Sequence, residues 1–190
     1  MSKSEGDQLS ELMRRYGMGE SAAFEPLYRL LARRLYRFCL RLSGSRTDAD
    51  DLLQDTFLRL HRARATYVAG ANVLHWAYAI ARSAFIDRLR YRRRRSEYLG
   101  LAQDVAEGDE LHADARDQPE AGVLAGELWD VVTSELAKMS EKSRTAYILL
   151  REEGLSLQEA AMVLGTTAVA LRQRLHRVYE RLENAVAAAG

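Results

Sequence analysis

Residues 155–182 read LSLQEAAMVLGTTAVALRQRLHRVYERL, and this stretch decides the fold of the C-terminal part of the chain. Ser156 is followed three residues later by Glu159, which is the spacing of a capping box at the start of a helix. Gly165 predicts a turn, and the next helix is predicted over residues 167–183. Two helices joined by a short turn that contains glycine are the layout of a helix-turn-helix, a motif that commonly contacts DNA.

The last of these helices has two different faces. Four apolar residues fall within an arc of about 60° and are predicted to face the core: Leu171, Leu175, Val178 and Leu182. The opposite face and its flanks carry side chains that can read base edges and hold phosphates. The candidates for DNA contact are Arg172, Gln173, Arg174, His176 and Arg177. The alternative is an ordinary solvated helix face, since Glu180 also lies on that side.

A second stretch, residues 76–95, reads WAYAIARSAFIDRLRYRRRR and predicts a helix that ends in nearly pure arginine. Residues 56–95 contain ten arginines and one acidic residue, whereas residues 96–127 contain nine acidic residues and one arginine. The formal net charge of +1 therefore conceals a strong segregation. A basic block of this size attracts nucleic-acid phosphates through counterion release. The alternative, a general preference for arginine over lysine, does not explain the clustering.

The N-terminal half also shows helical periodicity. Apolar residues at every third or fourth position predict an amphipathic helix over residues 24–42, and Gly44 would end it. Pro26 suits this helix only in its first turn. Cys39 lies on the apolar stripe and is predicted to be a core residue.

The following helix is predicted to begin at Thr47, whose spacing to Asp50 suits a capping box. Its buried side is predicted to hold Ala49, Leu52, Leu53, Thr56, Phe57, Leu60 and Ala63. Its opposite side carries Asp51, Gln54, Asp55, Leu58 and Arg62. Scattered exposed leucines are common, so a solvated face is one interpretation. An apolar residue surrounded by carboxylates also suits docking on a basic partner helix.

A loop over residues 65–72 and a third helix from about Val73 are predicted next. The inward stripe of this helix is Leu74, Ala77, Tyr78, Ala81, Phe85 and Leu89. Trp76 lies on a second side, where either a core role or a binding role is compatible with the pattern. The helix continues into the arginine block.

Composition favours an all-α protein, because the chain has only two prolines and is rich in helix-forming residues. No run of about 18 apolar residues predicts a membrane span, and the N-terminus lacks the layout of a secretory signal. One cysteine cannot form an internal disulfide, so we expect a cytoplasmic protein without membrane insertion. The predicted parts are an N-terminal tail (1–20), a helical bundle (21–95), an acidic flexible linker (96–126) and a helix-turn-helix bundle (127–190).

Three motifs together resemble one protein family. Residues 48–60, DADDLLQDTFLRL, resemble the polymerase-docking helix of bacterial extracytoplasmic-function (group IV) sigma factors. Residues 76–82, WAYAIAR, followed by DRLR at 87–90, resemble the segment that melts the promoter and reads its −10 element. LSLQEAA at 155–161, with RLHR at 174–177, resembles the helix-turn-helix that reads the −35 element.

The resemblance implies a subunit that joins core RNA polymerase, directs it to promoter DNA and is restrained by an anti-sigma factor. Asp51, Gln54, Asp55 and Leu58 would bind a coiled coil of the polymerase. The −10 element would be contacted by Tyr67, Asn72, Trp76, Arg82, Arg88, Arg90, Arg92 and Arg93. Arg172, Gln173, Arg174, His176 and Arg177 would contact the −35 element. The resemblance implies no cofactor, no metal and no small-molecule substrate.

Two rival interpretations use the same residues. A free-standing helix-turn-helix regulator would need a dimer interface and a palindromic site, and it leaves the exposed Leu58 without a purpose. An enzyme is the other rival. The four histidines are scattered without metal-ligand spacing, and no nucleophile motif surrounds a serine, so we expect that the protein is not an enzyme.

Overall fold

The computed structural model describes residues 3–99 and 123–189, which are helical throughout apart from turns and short connections. Eight α-helices follow one another along the described chain: α1 (Lys3–Gly17), α2 (Phe24–Ser43), α3 (Arg46–Ala63), α4 (Val73–Tyr98), α5 (Val123–Ala137), α6 (Glu141–Tyr147), α7 (Leu157–Leu164) and α8 (Ala168–Ala189). Short 3₁₀ turns precede α2 and follow α3, and a π-helical turn, Ile148–Glu152, follows α6. The all-α prediction is confirmed.

Helices α1 to α4 form the N-terminal bundle, and its first helix corrects the prediction of a tail over residues 1–20. The side chains of Leu9, Leu12, Met13 and Tyr16 are buried in the core. Their spacing of three and four residues places them on one face of α1, so the apolar periodicity that identifies the other helices was present here too. The first segment is therefore a structural part of the bundle.

The end of α2 agrees with the sequence, whereas the start of α3 does not. Gly44 ends α2 with a left-handed backbone (φ 69°), and its N–H donates to the carbonyl of Leu40 at 2.8 Å. Ser45, and not Thr47, is the N-cap of α3, because its hydroxyl accepts a hydrogen bond from the backbone N–H of Asp48 at 3.4 Å. A capping side chain must precede the helix, and Thr47 already lies within it.

The long helix α4 crosses the N-terminal bundle and carries the arginine block outward. Asn72 caps it by accepting a hydrogen bond from the backbone N–H of His75 at 3.1 Å. Tyr78 is fully buried against Phe38, with 4.7 Å between the ring centroids. The helix continues through Tyr98, beyond the predicted start of the linker. Residues 100–122 of the predicted linker lie outside the described residues.

Helices α5 to α8 form the C-terminal domain. The predicted capping box of α7 is confirmed, since Ser156 and Glu159 exchange hydrogen bonds between side chain and backbone. Gly165 then adopts a left-handed conformation (φ 61°) in the turn before α8. The predicted inward face of α8 is buried, and its Val178 and Leu182 pack with residues of the preceding helices. The domain is thus a helix-turn-helix supported by two further helices.

The two domains pack against each other along α4. Helix α7 contacts α4, and α6 contacts α2, so that the apolar core of the N-terminal bundle continues into Ile148, Leu149 and Leu164 of the C-terminal domain. Among the described residues, no helix combines the length and apolar character needed to cross a bilayer. The contact between the domains determines which functional side chains are accessible.

Candidate nucleic-acid and partner interface

The outward face of α3 exposes an apolar residue among polar ones, as the sequence predicted. The side chain of Leu58 is 49% exposed, and Asp51 and Gln54 are exposed beside it. Asp55 is less accessible because Arg59 binds its carboxylate at 3.2 Å. Arg59 also binds Asp87 of α4 at 2.6 Å. The face therefore presents one leucine, one amide and at least one accessible carboxylate to a partner.

Leu58 lies on the edge of an apolar groove that the sequence did not reveal. The groove has a volume of about 720 Å³, and Tyr16, Phe24, Tyr28, Leu53, Phe57 and His61 are among its lining residues. Tyr28 lies on the apolar stripe of α2, yet it is 40% exposed and packs its ring against Phe57 with 4.6 Å between centroids. Periodicity placed Tyr28 on the correct side of α2, but only the tertiary packing of α1, α2 and α3 leaves a groove there.

The start of α4 and the preceding loop hold two aromatic rings together. Tyr67 and Trp76 are half-buried, and their ring centroids lie 5.4 Å apart at an angle of 55°. The Tyr67 hydroxyl donates to the backbone carbonyl of Ala71 at 2.5 Å, which fixes the loop. Burial raises the pKa of Tyr67. Two adjacent rings beside a cap such as Asn72 form a surface on which a base can stack.

The arginines of α4 do not share one face, and most of those assigned to DNA are paired with carboxylates. Arg88 lies 3.9 Å from Asp51, Arg90 lies 3.9 Å from Asp87, and Arg92 binds Asp48 at 2.5 Å. Arg93 binds Glu97 one turn further along α4 at 3.3 Å. Asp48 and Asp51 belong to α3, so part of the basic block is neutralised within the N-terminal bundle.

Arg82 is placed differently from these surface arginines. Its guanidinium binds the carboxylate of Glu141 in two places, Nε to Oε1 at 2.8 Å and Nη2 to Oε2 at 3.2 Å. Only 14% of each side chain is exposed. Because Glu141 begins α6, this ion pair joins the two domains and covers a side chain that the sequence assigned to DNA.

Two neighbouring carboxylates of the C-terminal domain make further polar contacts across the same boundary. Arg41 of α2 binds Glu152 at 2.8 Å, and its guanidinium lies over the ring of Trp129 at 4.5 Å from the centroid. The hydroxyl of Tyr78 donates to the carboxylate of Glu153. Burial raises the pKa of Glu152, although Arg41 opposes that shift. Contacts between residues so far apart in the chain leave no periodic signal in the sequence.

The outward face of α8 is exposed, as predicted. Arg172, Gln173, His176 and Arg177 are exposed, whereas Arg174 is half-buried at the flank. Val169 is 68% exposed at the N-terminal end of the helix. Since the N-terminal residues of a recognition helix commonly reach base edges, Val169 is well placed for an apolar contact with a thymine methyl group.

The comparisons with known proteins agree with this layout. The Sigma-70 region 2 family matches residues 27–95, and the Sigma-70, region 4 family matches residues 130–182. The chain is 33% identical over 170 residues to RNA polymerase sigma factor CarQ of Myxococcus xanthus, covering 90% of this chain and 92% of that protein. It is 32% identical over 176 residues to ECF RNA polymerase sigma factor SigF of Caulobacter vibrioides, covering 92% of each.

A solved structure shares the fold. It is the sigma factor RpoE in complex with the anti-sigma factor NepR from Bartonella quintana, with a TM-score of 0.70 and 23% identity. The match covers 86% of this chain and 96% of that one.

Proposed function

Because the chain belongs to the extracytoplasmic-function class of RNA polymerase sigma factors, we propose that it divides polymerase docking, −10 contact and −35 contact among three of its helices. The protein is an alternative sigma factor that directs transcription initiation, with core RNA polymerase and promoter DNA as its partners. Sigma factors are not enzymes. Because the chain belongs to this family, we do not retain the alternative interpretation as a free-standing helix-turn-helix regulator.

Polymerase docking belongs to the outward face of α3. The observation that carries this assignment is Leu58, half exposed among carboxylates at the edge of the apolar groove. An apolar anchor that enters a groove contributes more to affinity than the polar rim around it. Asp51 and Gln54 would orient a basic partner helix, and Asp55 would join them if Arg59 exchanges partners. The surface therefore suits a helix with both basic and apolar residues.

The −10 contact belongs to the start of α4 and the loop before it. Tyr67 and Trp76 would stack an unpaired base, since base–aromatic stacking contributes about 1–3 kcal/mol per base. Asn72 and Arg82 would contact the same strand. Arg88, Arg90, Arg92 and Arg93 would hold flanking phosphates, but they would have to exchange carboxylates for phosphate when DNA binds.

The −35 contact belongs to the exposed face of α8. Gln173 and Arg177 lie at its centre and would read base edges, and His176 would lie beside them. Arg172 and Arg174 flank the centre and would hold phosphates. This face is exposed in the protein without DNA, and contact with DNA would require such exposure.

An anti-sigma factor is a further proposed partner, and the cytoplasm is the proposed location because polymerase works there. Support comes from the solved relative, whose structure contains an anti-sigma factor bound to a sigma factor.

Run-off transcription with purified core polymerase and a library of promoter sequences tests the proposal. We expect transcripts from a subset of promoters that share a −10 and a −35 element, and none from core polymerase alone. Failure of the chain to bind core polymerase or to select any promoter would contradict the proposed function. The promoter selected in this experiment supplies the DNA for the tests below.

A further inference from the structure

The last turns of α4 carry two exposed tyrosines that the proposed function does not use. Tyr91 is 62% exposed and Tyr98 is 90% exposed. The match to the Sigma-70 region 2 family ends at residue 95, so Tyr98 lies beyond it. The flat faces of both rings are accessible to a partner, and an aromatic ring packs well against another flat ring.

Tyr91 and Tyr98 point in nearly the same direction from the helix. Seven residues at 3.6 residues per turn bring the second ring within about 20° of the first and about 10.5 Å further along the axis. Arg94 and Arg95 lie between the two rings, and all four side chains fall within an arc of about 100°. We call these four residues the tyrosine face of α4.

The arginines of the tyrosine face are accessible to an anionic partner. Both are exposed, and within the described residues neither forms an ion pair. The Nε of Arg94 donates to a backbone carbonyl at 3.3 Å, which leaves its terminal nitrogens for a partner. The two carboxylates among residues 87–98 bind other arginines, Asp87 to Arg59 at 2.6 Å and Glu97 to Arg93 at 3.3 Å. The tyrosine face therefore combines two flat rings with two accessible positive charges.

A single-stranded nucleic acid satisfies both features. Its phosphates suit the arginines, and its unpaired bases have open faces that stack on aromatic rings. In a duplex these faces are covered by the neighbouring base pairs, so the tyrosines would have no stacking partner. Successive nucleotides of a strand rise by about 3.4 Å, so the distance of about 10.5 Å between the rings spans about three nucleotide steps. An acidic peptide would use the arginines alone.

We propose that the tyrosine face of α4 is a further nucleic-acid site, on which the two tyrosines stack unpaired bases and the two arginines hold the phosphates between them. Single-stranded DNA and RNA share this chemistry. The site is separate from the proposed −10 contact, because Trp76 lies about 22 Å before Tyr91 along the helix. It goes beyond the proposed function, since it requires neither polymerase nor a promoter sequence.

The rings are tested with the full chain and labelled oligothymidine or oligouridine of about 12 nucleotides, a length within the site sizes of single-strand binding proteins. Fluorescence anisotropy should show that the wild type binds these strands. Tyr91→Ala with Tyr98→Ala should lower the affinity about thirtyfold or more, because each stacked base contributes about fivefold or more. Affinity for an unrelated duplex of the same length should not change in this variant.

Tyr91→Phe with Tyr98→Phe is the matched control for the rings. It keeps both aromatic faces and removes only the hydroxyl groups, so the affinity for single strands should be retained. Because both side chains are exposed, all of these variants should fold, which circular dichroism confirms.

The arginines are tested through the salt dependence of the same binding. Arg94→Gln with Arg95→Gln should lower the magnitude of the slope of log affinity against log salt by about 1.4, since each phosphate contact on a single strand contributes about 0.7. Arg33→Gln with Arg37→Gln is the control, because it removes two exposed arginines of α2. The slope should stay at the wild-type value in this control.

Three results would overturn the site. The first is unchanged affinity for single strands after both rings are removed. The second is an equal loss in the alanine and phenylalanine variants, which would assign the contact to the hydroxyl groups. The third is displacement of the strand by poly-glutamate as effectively as by unlabelled oligothymidine, which would assign the face to an acidic protein. An equal loss of duplex affinity in the alanine variant would also contradict stacking on unpaired bases.

The two strands identify the source of the ligand. Equal affinity for oligothymidine and oligouridine would support contact with bases and phosphates alone, and a preference for one would support the site and show which strand it takes. These assays contain neither polymerase nor promoter. Absence of transcription with the wild-type chain would therefore contradict the proposed function and leave the tyrosine face to be judged by the binding data.

Discussion

Helices α4 and α8 are both rich in arginine, yet their arginines have different surroundings. On α4, Arg82 is covered by Glu141 of the other domain, and Arg92 binds Asp48 of α3. On α8, Arg172 and Arg177 are exposed, and within the described part of the chain neither forms an ion pair. The surface proposed for −35 contact is thus exposed, whereas arginines of the surface proposed for −10 contact are paired with carboxylates.

The difference shows that a count of basic residues does not measure DNA-binding capacity. A guanidinium that already binds a carboxylate must exchange that partner for a phosphate, so the net gain is smaller than for an exposed arginine. In this protein we expect the exchange on α4 to depend on polymerase. We therefore predict that the −10 surface of α4 functions in the holoenzyme and that α8 contacts DNA more independently.

The largest expected effect is a loss of affinity for core polymerase. We expect this loss to abolish the function of α4 as well, because we predict that α4 contacts DNA in the holoenzyme. Leu58→Arg places a charge at the edge of the apolar groove, where we expect an apolar anchor of the partner. Loss of an interface anchor typically costs about 2 kcal/mol or more, which is about a thirtyfold loss of affinity. Fluorescence anisotropy of labelled core polymerase with the folded variant measures this loss.

Leu128→Arg is a matched control for that measurement. Leu128 is 47% exposed, nearly the same as Leu58, but it lies on α5 in the other domain. Polymerase affinity should stay close to the wild-type value in this control. Equal losses in the two variants would mean that any added surface charge weakens binding, and the docking role of α3 would then be wrong.

The next largest effect concerns the end of α4. Replacing Arg90, Arg92, Arg93, Arg94 and Arg95 with glutamine should weaken promoter binding by the holoenzyme and flatten its salt dependence. For each phosphate that the variant no longer neutralises, the slope of log affinity against log salt should fall by about 0.7–0.9 in magnitude. Because Arg92 and Arg93 already bind carboxylates, we expect a total change well below that of five phosphates. Filter binding between 50 and 200 mM salt, roughly the range over which such slopes are read, measures it.

A changed −10 preference with an unaltered salt slope would contradict this assignment. It would mean that the arginines read bases and do not hold phosphates. The five-residue variant with the wild-type α8 also provides its own internal control, because the preferred −35 sequence should stay the same.

The secondary structure was predictable because it depends mainly on local sequence patterns. Helical periodicity identified the buried face of α8, including Leu171 and Leu175, and the capping box identified Ser156 as the start of α7. The exposed position of Leu58 followed from the same periodicity. The two errors in the secondary structure were also local. Residues 1–20 were predicted as a tail, although α1 has a clear apolar stripe, and the N-cap of α3 is Ser45, two residues before the predicted Thr47.

The arrangement of the domains was not predictable in this way. Glu141, Glu152 and Glu153 read as ordinary charged residues of a C-terminal helix, and their partners lie between 59 and 111 residues away. A pairwise contact over such a separation depends on how whole helices pack, which no single-sequence period encodes. The groove beside Leu58 has the same origin, because three helices must meet to form it.

A smaller effect separates two roles on α8. Gln173→Ala should change which −35 sequences are used, since a base-reading side chain typically supplies about 1–3 kcal/mol of discrimination. Arg172→Ala should weaken all −35 sequences to a similar degree, because a phosphate contact carries no sequence information. Competition binding with a randomised −35 library measures both. A uniform loss in both variants would show that Gln173 does not read bases.

The smallest expected effect concerns the caps of the two helices, Asn72 for α4 and Thr167 for α8. The Thr167 hydroxyl accepts from the backbone N–H of Ala170 at 3.2 Å, as the Asn72 amide does from His75. Alanine at either cap should lower the free energy of unfolding by about 1 kcal/mol, which thermal denaturation measures. Asn72→Ser keeps a capping oxygen but removes the amide donors, so stability should be retained while −10-dependent transcription falls. Retained transcription in Asn72→Ser would limit Asn72 to its structural role and leave base contact to Tyr67 and Trp76.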